Sequence, residues 1–226
     1  MVGGAASFDK PDYEAIRAQV KILLHEIARV ALRYRLALVD GGTPYGVMRL
    51  MGEVCYAHGG KIPLVGVAPS GKVRWQSGKG GIDYAKTWVG GDLRKMLEHE
   101  QSLTPLDENH TAFVLVEANE WGDEVEMLAA VAHELAAHQA AIEILINGGQ
   151  VTRRDVLAYL RKGGKVIVVE GSGRFADEVA GAIRAGFSHD PHLKEVLNHS
   201  KNIHLFPLNE PPAAFTALLM GLGRWG

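Results

Sequence analysis

Lys165-Val-Ile-Val-Val-Glu170, running into Gly171-Ser-Gly-Arg-Phe-Ala-Asp-Glu178, decides the fold class. Val166 to Val169 is a short β-branched run without polar alternation, the pattern of a strand buried on both faces. Ala176, Val179, Ala180 and Ile183 then recur at helical spacing. The stretch reads as strand, glycine loop, helix. In a parallel α/β sheet such a loop lies at the carboxyl end of its strand, where the unpaired N–H groups of the helix's first turn and its dipole favour phosphate.

Working outward, the pattern repeats. Val2-Gly3-Gly4 reads as the end of a strand and its glycine turn; the opening is abrupt, so either that strand is very short or a natural or engineered boundary lies just upstream. Asp9 and Pro11 suit a helix start, and Tyr13, Ile16, Val20, Leu23, Leu24, Ile27 and Ala31 mark one apolar stripe to about Tyr34. Leu36 to Val39 predicts a strand, Asp40-Gly-Gly-Thr-Pro-Tyr-Gly46 a second glycine loop, and Val47, Leu50, Met51 and Val54 a helix closed by Gly59-Gly60. Ile62 to Val67 is the next strand, with its proline placing that end early or at an edge.

From about residue 68 to 109 the chain turns irregular and glycine-rich, with Trp75 and Trp88 and one weak helical stretch near Leu93 to Leu103. Such an excursion suits a lid or a surface loop anchored by its tryptophans. Thr111 to Val116 is a strand, followed by a helix with Val125, Leu128, Ala132 and Leu135 on one side. Ala141 to Ile146 is another strand, ending in the third glycine loop, Asn147-Gly-Gly-Gln-Val-Thr-Arg-Arg-Asp155. Thr152 with Asp155 three residues on resembles a capping box with the shorter acid, and Val156, Leu157 and Leu160 face inward until Gly163-Gly164. A polar segment, a strand over Asn202 to Pro207 and a helix over Pro212 to Leu222 close the chain. Alternating strands and helices predict an α/β fold with a parallel sheet and right-handed crossovers.

The whole chain, 226 residues with 47% hydrophobic content and no run of about 18 apolar residues, is expected to be one ligand-binding domain without a membrane segment. A net charge of −2 gives no general field for nucleic acid. The single cysteine, Cys55, excludes an internal disulfide, and with no secretory signal a cytoplasmic location is expected.

Glycine loops at several strand ends converge where open α/β sheets bind ligands. Phosphate is expected at Gly148-Gly149 and Gly171-Ser172-Gly173, with Arg153 or Arg174 as the cation, and Glu117, Glu120, Asp123 and Glu170 as acceptors for ribose hydroxyls. The expected set also takes in Gly3, Gly4, Gly41, Gly42, Thr43, Gly46, Trp121, Asn147 and Thr152. His133 and His138 stand at i,i+5, about 140° apart on a helix, and cannot share a metal on one face. His189, His192, His199 and His204 lack a cysteine or carboxylate at ligand spacing, so no metal is expected. Gly171, Gly173 and Ala176 approach the dinucleotide fingerprint, but the acid about 20 residues further, Asp190, lies in the polar segment, which argues against an ordinary NAD dehydrogenase.

Taken together, Val39-Asp-Gly-Gly-Thr-Pro-Tyr-Gly-Val-Met48, Asn109-His-Thr-Ala-Phe-Val-Leu-Val116 with Trp121-Gly-Asp-Glu124, Leu145-Ile-Asn-Gly-Gly149 and Val168 to Glu178 resemble the prokaryotic LSDAT domain of the SLOG superfamily, over nearly the whole chain. That superfamily includes the cytosolic N-terminal domains of melastatin-type TRP channels and the LOG-type nucleotide phosphoribohydrolases. The resemblance implies a Rossmann-like three-layer sandwich with a mostly parallel central sheet. It also implies a sensor of a nucleotide-derived ligand such as ADP-ribose, a cyclic variant or another NAD metabolite, with no further cofactor, in a homo-oligomer with a fused or associated effector. LOG-type hydrolases carry P-G-G-x-G-T-x-x-E; here the third glycine is Val151 and the glutamate is Asp155, about one methylene shorter. Binding survives that change more readily than cleavage of an N-glycosidic bond. A hydrolase would use Asp155 and Arg153, and a self-association scaffold would use the apolar helix Phe215 to Leu222. For a sensor, Gly149→Val or Gly173→Val is expected to block phosphate with the fold intact.

Overall fold

The computed structural model describes residues 1–74, 102–137 and 139–225. In chain order the elements are β1 (Val2–Gly3), α1 (Glu14–Tyr34), β2 (Leu38–Asp40), α2 (Gly46–Ala57), β3 (Leu64–Pro69), β4 (Val73–Arg74), β5 (Thr104–Pro105), β6 (Ala112–Val116), α3 (Val125–Ala136), β7 (Ile142–Ile146), α4 (Gln150–Arg161), β8 (Lys165–Glu170), α5 (Arg174–Ala185), α6 (Pro191–Asn198), β9 (Ile203–Pro207) and α7 (Pro212–Gly223). Short 3-10 turns at Ala6–Asp9 and Pro11–Tyr13 lead into α1. Trp75, Trp88 and most of the weak helical stretch before Leu103 lie outside the described residues, as does His138.

All strand pairs are parallel, in the orders β1-β7-β8-β9 and β2-β3-β6, with a short β4-β5 ladder beside them. The two main ladders approach at β1 and β2, where the Met1 amino group donates to the Val39 carbonyl. The side-chain period of two sorts the core into two layers. Ile144, Ile146, Ile167 and Val169 pack with α1, α2 and α7, whereas Leu145, Val166 and Val168 pack with α3, α4, α5 and α6. The result is a three-layer, Rossmann-like α/β arrangement. Ile167, Val168 and Val169 are each 0% exposed, so strand β8 is buried on both faces, and each such side chain contributes about 1.5–3 kcal/mol through burial.

Two local expectations are corrected. Leu135, expected inward, is 51% exposed, because α3 presents Leu128 and Ala129 rather than its last turn to the core. The N-cap of α4 is Gly149, not Thr152, which stands at the third helical position and accepts the Gly149 N–H at 3.3 Å while donating to the Gly3 carbonyl at 3.2 Å. Asp155 therefore sits a turn further along α4 and 9% exposed, rather than in a capping box.

Candidate functional site

A cleft of about 440 Å³ opens at the carboxyl ends of β1, β2 and β7. Since β2 leads away from β1 on one side and β7 pairs it on the other, this is the point where the strand order reverses, the usual ligand crevice of an open α/β sheet. Gly3, Gly41, Thr43, Trp121, Gly149, Thr152, Arg174 and Asp155 from the expected set line it.

Three helices begin near the cleft, and the protein's own groups occupy two of those starts. At α2 the Gly46 N–H donates to Asp9 Oδ2 at 2.8 Å, the Val47 N–H to the Gly4 carbonyl at 3.0 Å, and Arg49 pairs with Asp9 at 2.6 Å. A Cβ on Gly46 would stand 1.9 Å from the Gly4 carbonyl oxygen, so Gly4 and Gly46 meet as packing surfaces. At α5 the Ala176 N–H donates to the Asn147 carbonyl at 2.8 Å and the Gly171 N–H to Asp177 Oδ1 at 2.7 Å. At α4 the Gly149 N–H is held by Thr152. The N–H groups of Gln150, Val151 and Thr152, which helix geometry leaves without an intrahelical acceptor, border the cleft. Arg174 lies against this turn: a Cβ on Gly149 would be 3.1 Å from its Nη2, and its Nη1 donates to Ser7 Oγ. An exposed guanidinium beside an open helix start is an arrangement suited to a phosphate.

The floor is acidic. Glu124 and Asp155 line it, 5% and 9% exposed, and Glu143 of β7, 5% exposed and outside the lining, feels the Asp155 charge. Burial, then the Glu124 charge, pushes the Asp155 carboxyl up to about 7; burial, then Asp155, pushes Glu143 up to about 8. Glu124 is also raised by burial, and its carboxylate accepts the Gly122 N–H at 2.6 Å. Behind them Tyr159 stacks on His133 with centroids 5.1 Å apart.

The other expected residues stand elsewhere. Gly42 has a φ of +68° and holds the β2 turn rather than lining the cleft. Asn147, at a φ of +58°, and Ser172 latch two loops: the Asn147 amide donates to the Ser172 carbonyl at 2.8 Å, and Ser172 Oγ accepts the Asn147 N–H at 2.8 Å. Gly148 packs on Thr152, and Gly173 on Asn147 and Tyr13. Arg153 is drawn away by Glu178 and by Asp190 at 3.3 Å, Asp190 being itself the N-cap of α6. Glu170 makes a two-pronged pair with Arg184 at 2.9 and 2.6 Å, and with Gly171 borders a separate depression. Glu117 and Asp123 are exposed; Asp123 lies 3.8 Å from Arg154, and Glu120 pairs with Lys72 at 3.1 Å. Among the described residues no group of three His, Cys, Asp or Glu is placed to hold a metal ion.

Sequence reasoning missed Ser7, Tyr45, Met48, Glu124, Gln150 and Val151 in the cleft lining. Tyr45 and Met48 lie in the same stretch as the expected Gly41 and Thr43, Glu124 follows the expected Asp123, and Gln150 and Val151 follow Gly148-Gly149; Ser7 comes from a segment whose approach only the tertiary fold sets.

Fold and cleft together define a Rossmann-like α/β protein with its crevice at the strand-order reversal. The chain belongs to the family described as LSDAT_prok, SLOG in TRPM, prokaryote, whose model matches residues 1–217. A relative is the transient receptor potential cation channel subfamily M member 2 of Mus musculus, 25% identical over 203 residues; the match covers 80% of this chain but only 13% of the channel's length. Among solved structures, a structural-genomics protein titled TM1055 superposes with a TM-score of 0.55 at 16% identity, covering 97% of this chain and 96% of that one. The molybdenum cofactor carrier protein of Chlamydomonas reinhardtii superposes with a TM-score of 0.53 at 13% identity, covering 98% and 94%. Both similarities concern the fold. Among the described residues no helix is long and apolar enough to cross a membrane.

Proposed function

We propose that this chain is a sensor domain that binds a nucleotide-derived ligand, of the ADP-ribose, cyclic ADP-ribose or NAD-metabolite class, in the cleft at the ends of β1, β2 and β7. The observation that carries the reading is the first turn of α4. Among the described residues it is the one of the three neighbouring helix starts to which no carboxylate or carbonyl of another segment is bonded, and Arg174 lies against it. A phosphate placed there gains the dipole, free N–H donors and a guanidinium together. Family membership supports a nucleotide-related ligand in general.

One feature favours hydrolysis as a second reading. Asp155 lines the cleft with its carboxyl raised to about 7, the range of a general acid at neutral pH. A thermal-shift panel of AMP, ADP, NAD, ADP-ribose, cyclic ADP-ribose and ribose 5-phosphate, with products separated by chromatography, tests both. A binder at about 100 times its Kd stabilises by about 2.7 kcal/mol. A shift with intact ligand supports the sensor. Released base, abolished in Asp155→Asn, supports the hydrolase, and the absence of any shift removes both.

A further inference from the structure

Behind the wall of the cleft formed by Gly41 and Thr43, three ionisable side chains close into one buried unit. His110 is 0% exposed in its side chain; its Nε2 lies 2.7 Å from Asp40 Oδ1 and its Nδ1 2.8 Å from Asp107 Oδ2. An ionised carboxylate only accepts, so a ring facing one on each nitrogen carries both protons. Burial by itself favours the neutral ring, and the two carboxylates outweigh it, lifting the imidazole to about 9.

The unit grips the turn after β2. Asp40 Oδ1 also accepts the Gly42 N–H at 2.8 Å, and the Gly42 carbonyl accepts the Asp107 N–H at 2.9 Å. Gly42, at a φ of +68°, is thus held from both sides, between the two cleft-lining residues Gly41 and Thr43. Packing leaves no slack. A Cβ on Gly52 of α2 would come within 2.3 Å of Asp107 Oδ2, and Phe113 of β6 stacks on His110 with centroids 5.4 Å apart. The other titratable groups that feel the unit are Cys55 of α2, its thiol pushed up to about 12 by burial and then by Asp40 and Asp107, and the Met1 amino group, which feels Asp40.

Buried ionic clusters add little net stability compared with apolar packing, and their best-attested use is to fix register. The geometry points to His110 as a positioning residue of the cleft: by bridging Asp40 and Asp107 it fixes the Gly41–Thr43 wall on which a bound ligand rests. The ligand part rests on the nucleotide reading above; the bracing of the wall does not.

The test has two arms on the full chain. In ligand-free protein at pH 7, hydrogen exchange of His110→Gln should lose about tenfold or more protection at the Gly42 amide and over residues 40–45, with residues 149–155 within about twofold of wild type. In the second arm, the Kd for ADP-ribose is measured well below the melting temperature. His110→Gln should weaken it about tenfold at pH 7, and the gap between the two proteins should close between pH 8 and 10 as the wild type loses the imidazolium charge. A diphosphate ester is fully ionised over that range, and the titration of Asp155, Glu143 and the Met1 amino group is common to both proteins, so neither closes the gap. A structural role alone would lower stability and leave the Kd of folded protein unchanged. Asp107→Asn is a second variant in case His110→Gln does not fold, compared with wild type in the same way. Unchanged exchange over residues 40–45, or a Kd within about twofold throughout, overturns the proposal. Loosened exchange with no ligand of the panel above binding to wild type supports the brace and overturns the nucleotide reading instead.

Discussion

The cleft has two buried ionisable regions that solve the same problem in opposite ways. In the wall, Asp40 and Asp107 flank His110 at 2.7 and 2.8 Å; burial opposes the charges of His110 and Asp40, and their pairing outweighs it. The floor has Glu124, Glu143 and Asp155; the buried Met1 amino group feels the last two but, among the described residues, forms no ion pair with them, and burial raises all three. Among the described residues, Glu143 Oε1, Tyr159 OH and His133 Nε2 are buried there without a hydrogen-bond partner, as is Asp40 Oδ2 in the wall. Desolvation penalises the charged form in both places; only pairing decides whether a group keeps its charge or takes up a proton. The wall therefore keeps the imidazolium through the neutral range, whereas Asp155 and Glu143 take up protons within it.

The largest effect should come from breaking the wall. Asp107→Ala leaves an imidazolium bonded on one side only, and truncating one partner of a buried pair costs about 3–5 kcal/mol, read as a lower urea midpoint at pH 7. The pH dependence has a definite sign. His110 is raised from 6.5 to about 9 on folding, so its contribution is complete below pH 6.5 and lost as pH rises through about 9. The variant should lack much of that alkaline fall. An unchanged midpoint at pH 7 would mean that the wall is not a mutually dependent ionic unit.

The floor should respond in the opposite direction. Glu143 is raised from 4.5 to about 8, so the wild type holds its full stability below pH 4.5 and loses some as pH rises through about 8. Glu143→Gln removes that loss and should raise stability at pH 9 by about 2 kcal/mol, with little change at pH 4. Asp155→Asn should act similarly with a midpoint nearer 7. Thermal melts at the two pH values check this, and a destabilised Glu143→Gln at pH 9 would show that the floor is paired after all.

The fold was legible because it rests on local patterns: the β-branched run of β8, the helical stripe of α1 and the glycine stops at Gly59 and Gly163, both with positive φ. Half of the candidate site was legible for the same reason, since Gly149, Thr152 and Arg174 sit beside strand ends that the pattern predicts. The wall was not. Asp40 and His110 are separated by 70 positions and belong to different crossovers, so no spacing announces their bond. Nor could pattern decide which helix start is open; that depends on Asp9 reaching α2 and on the Asn147 carbonyl reaching α5.

The two glycine substitutions expected to act alike should separate. Gly149 has a φ of −125°, and an added Cβ there meets only the end of the Arg174 side chain, so Gly149→Val displaces the guanidinium with the backbone free to fold. The expected loss is about tenfold in ligand affinity by calorimetry. Gly173 has a φ of +94°, and its Cβ would stand 2.9 Å from both Asn147 Nδ2 and Tyr13 Cε1, so Gly173→Val strains the fold itself. Equal affinity in Gly149→Val and wild type would move phosphate away from α4.

The smallest effect tests whether the floor's neighbouring arginine belongs to the cleft. Sequence offered Arg153 and Arg174 as equivalent cations, yet Arg153 is engaged by Glu178 and Asp190, and its guanidinium lies 4.8 Å from the centroid of the Phe175 ring. Its His192 neighbour lies 2.8 Å from the Arg153 carbonyl oxygen, which ties that stretch of α4 to α6 rather than to the cleft. Partly exposed pairs and a cation–π contact together are worth about 1 kcal/mol, so Arg153→Ala should lower stability by that order. Its ligand affinity should stay within about twofold of wild type, against about tenfold for Arg174→Ala in the same titration. Equal losses would require Arg153 to leave Glu178 and Asp190 when ligand arrives, and the α4 start would then have two cations instead of one.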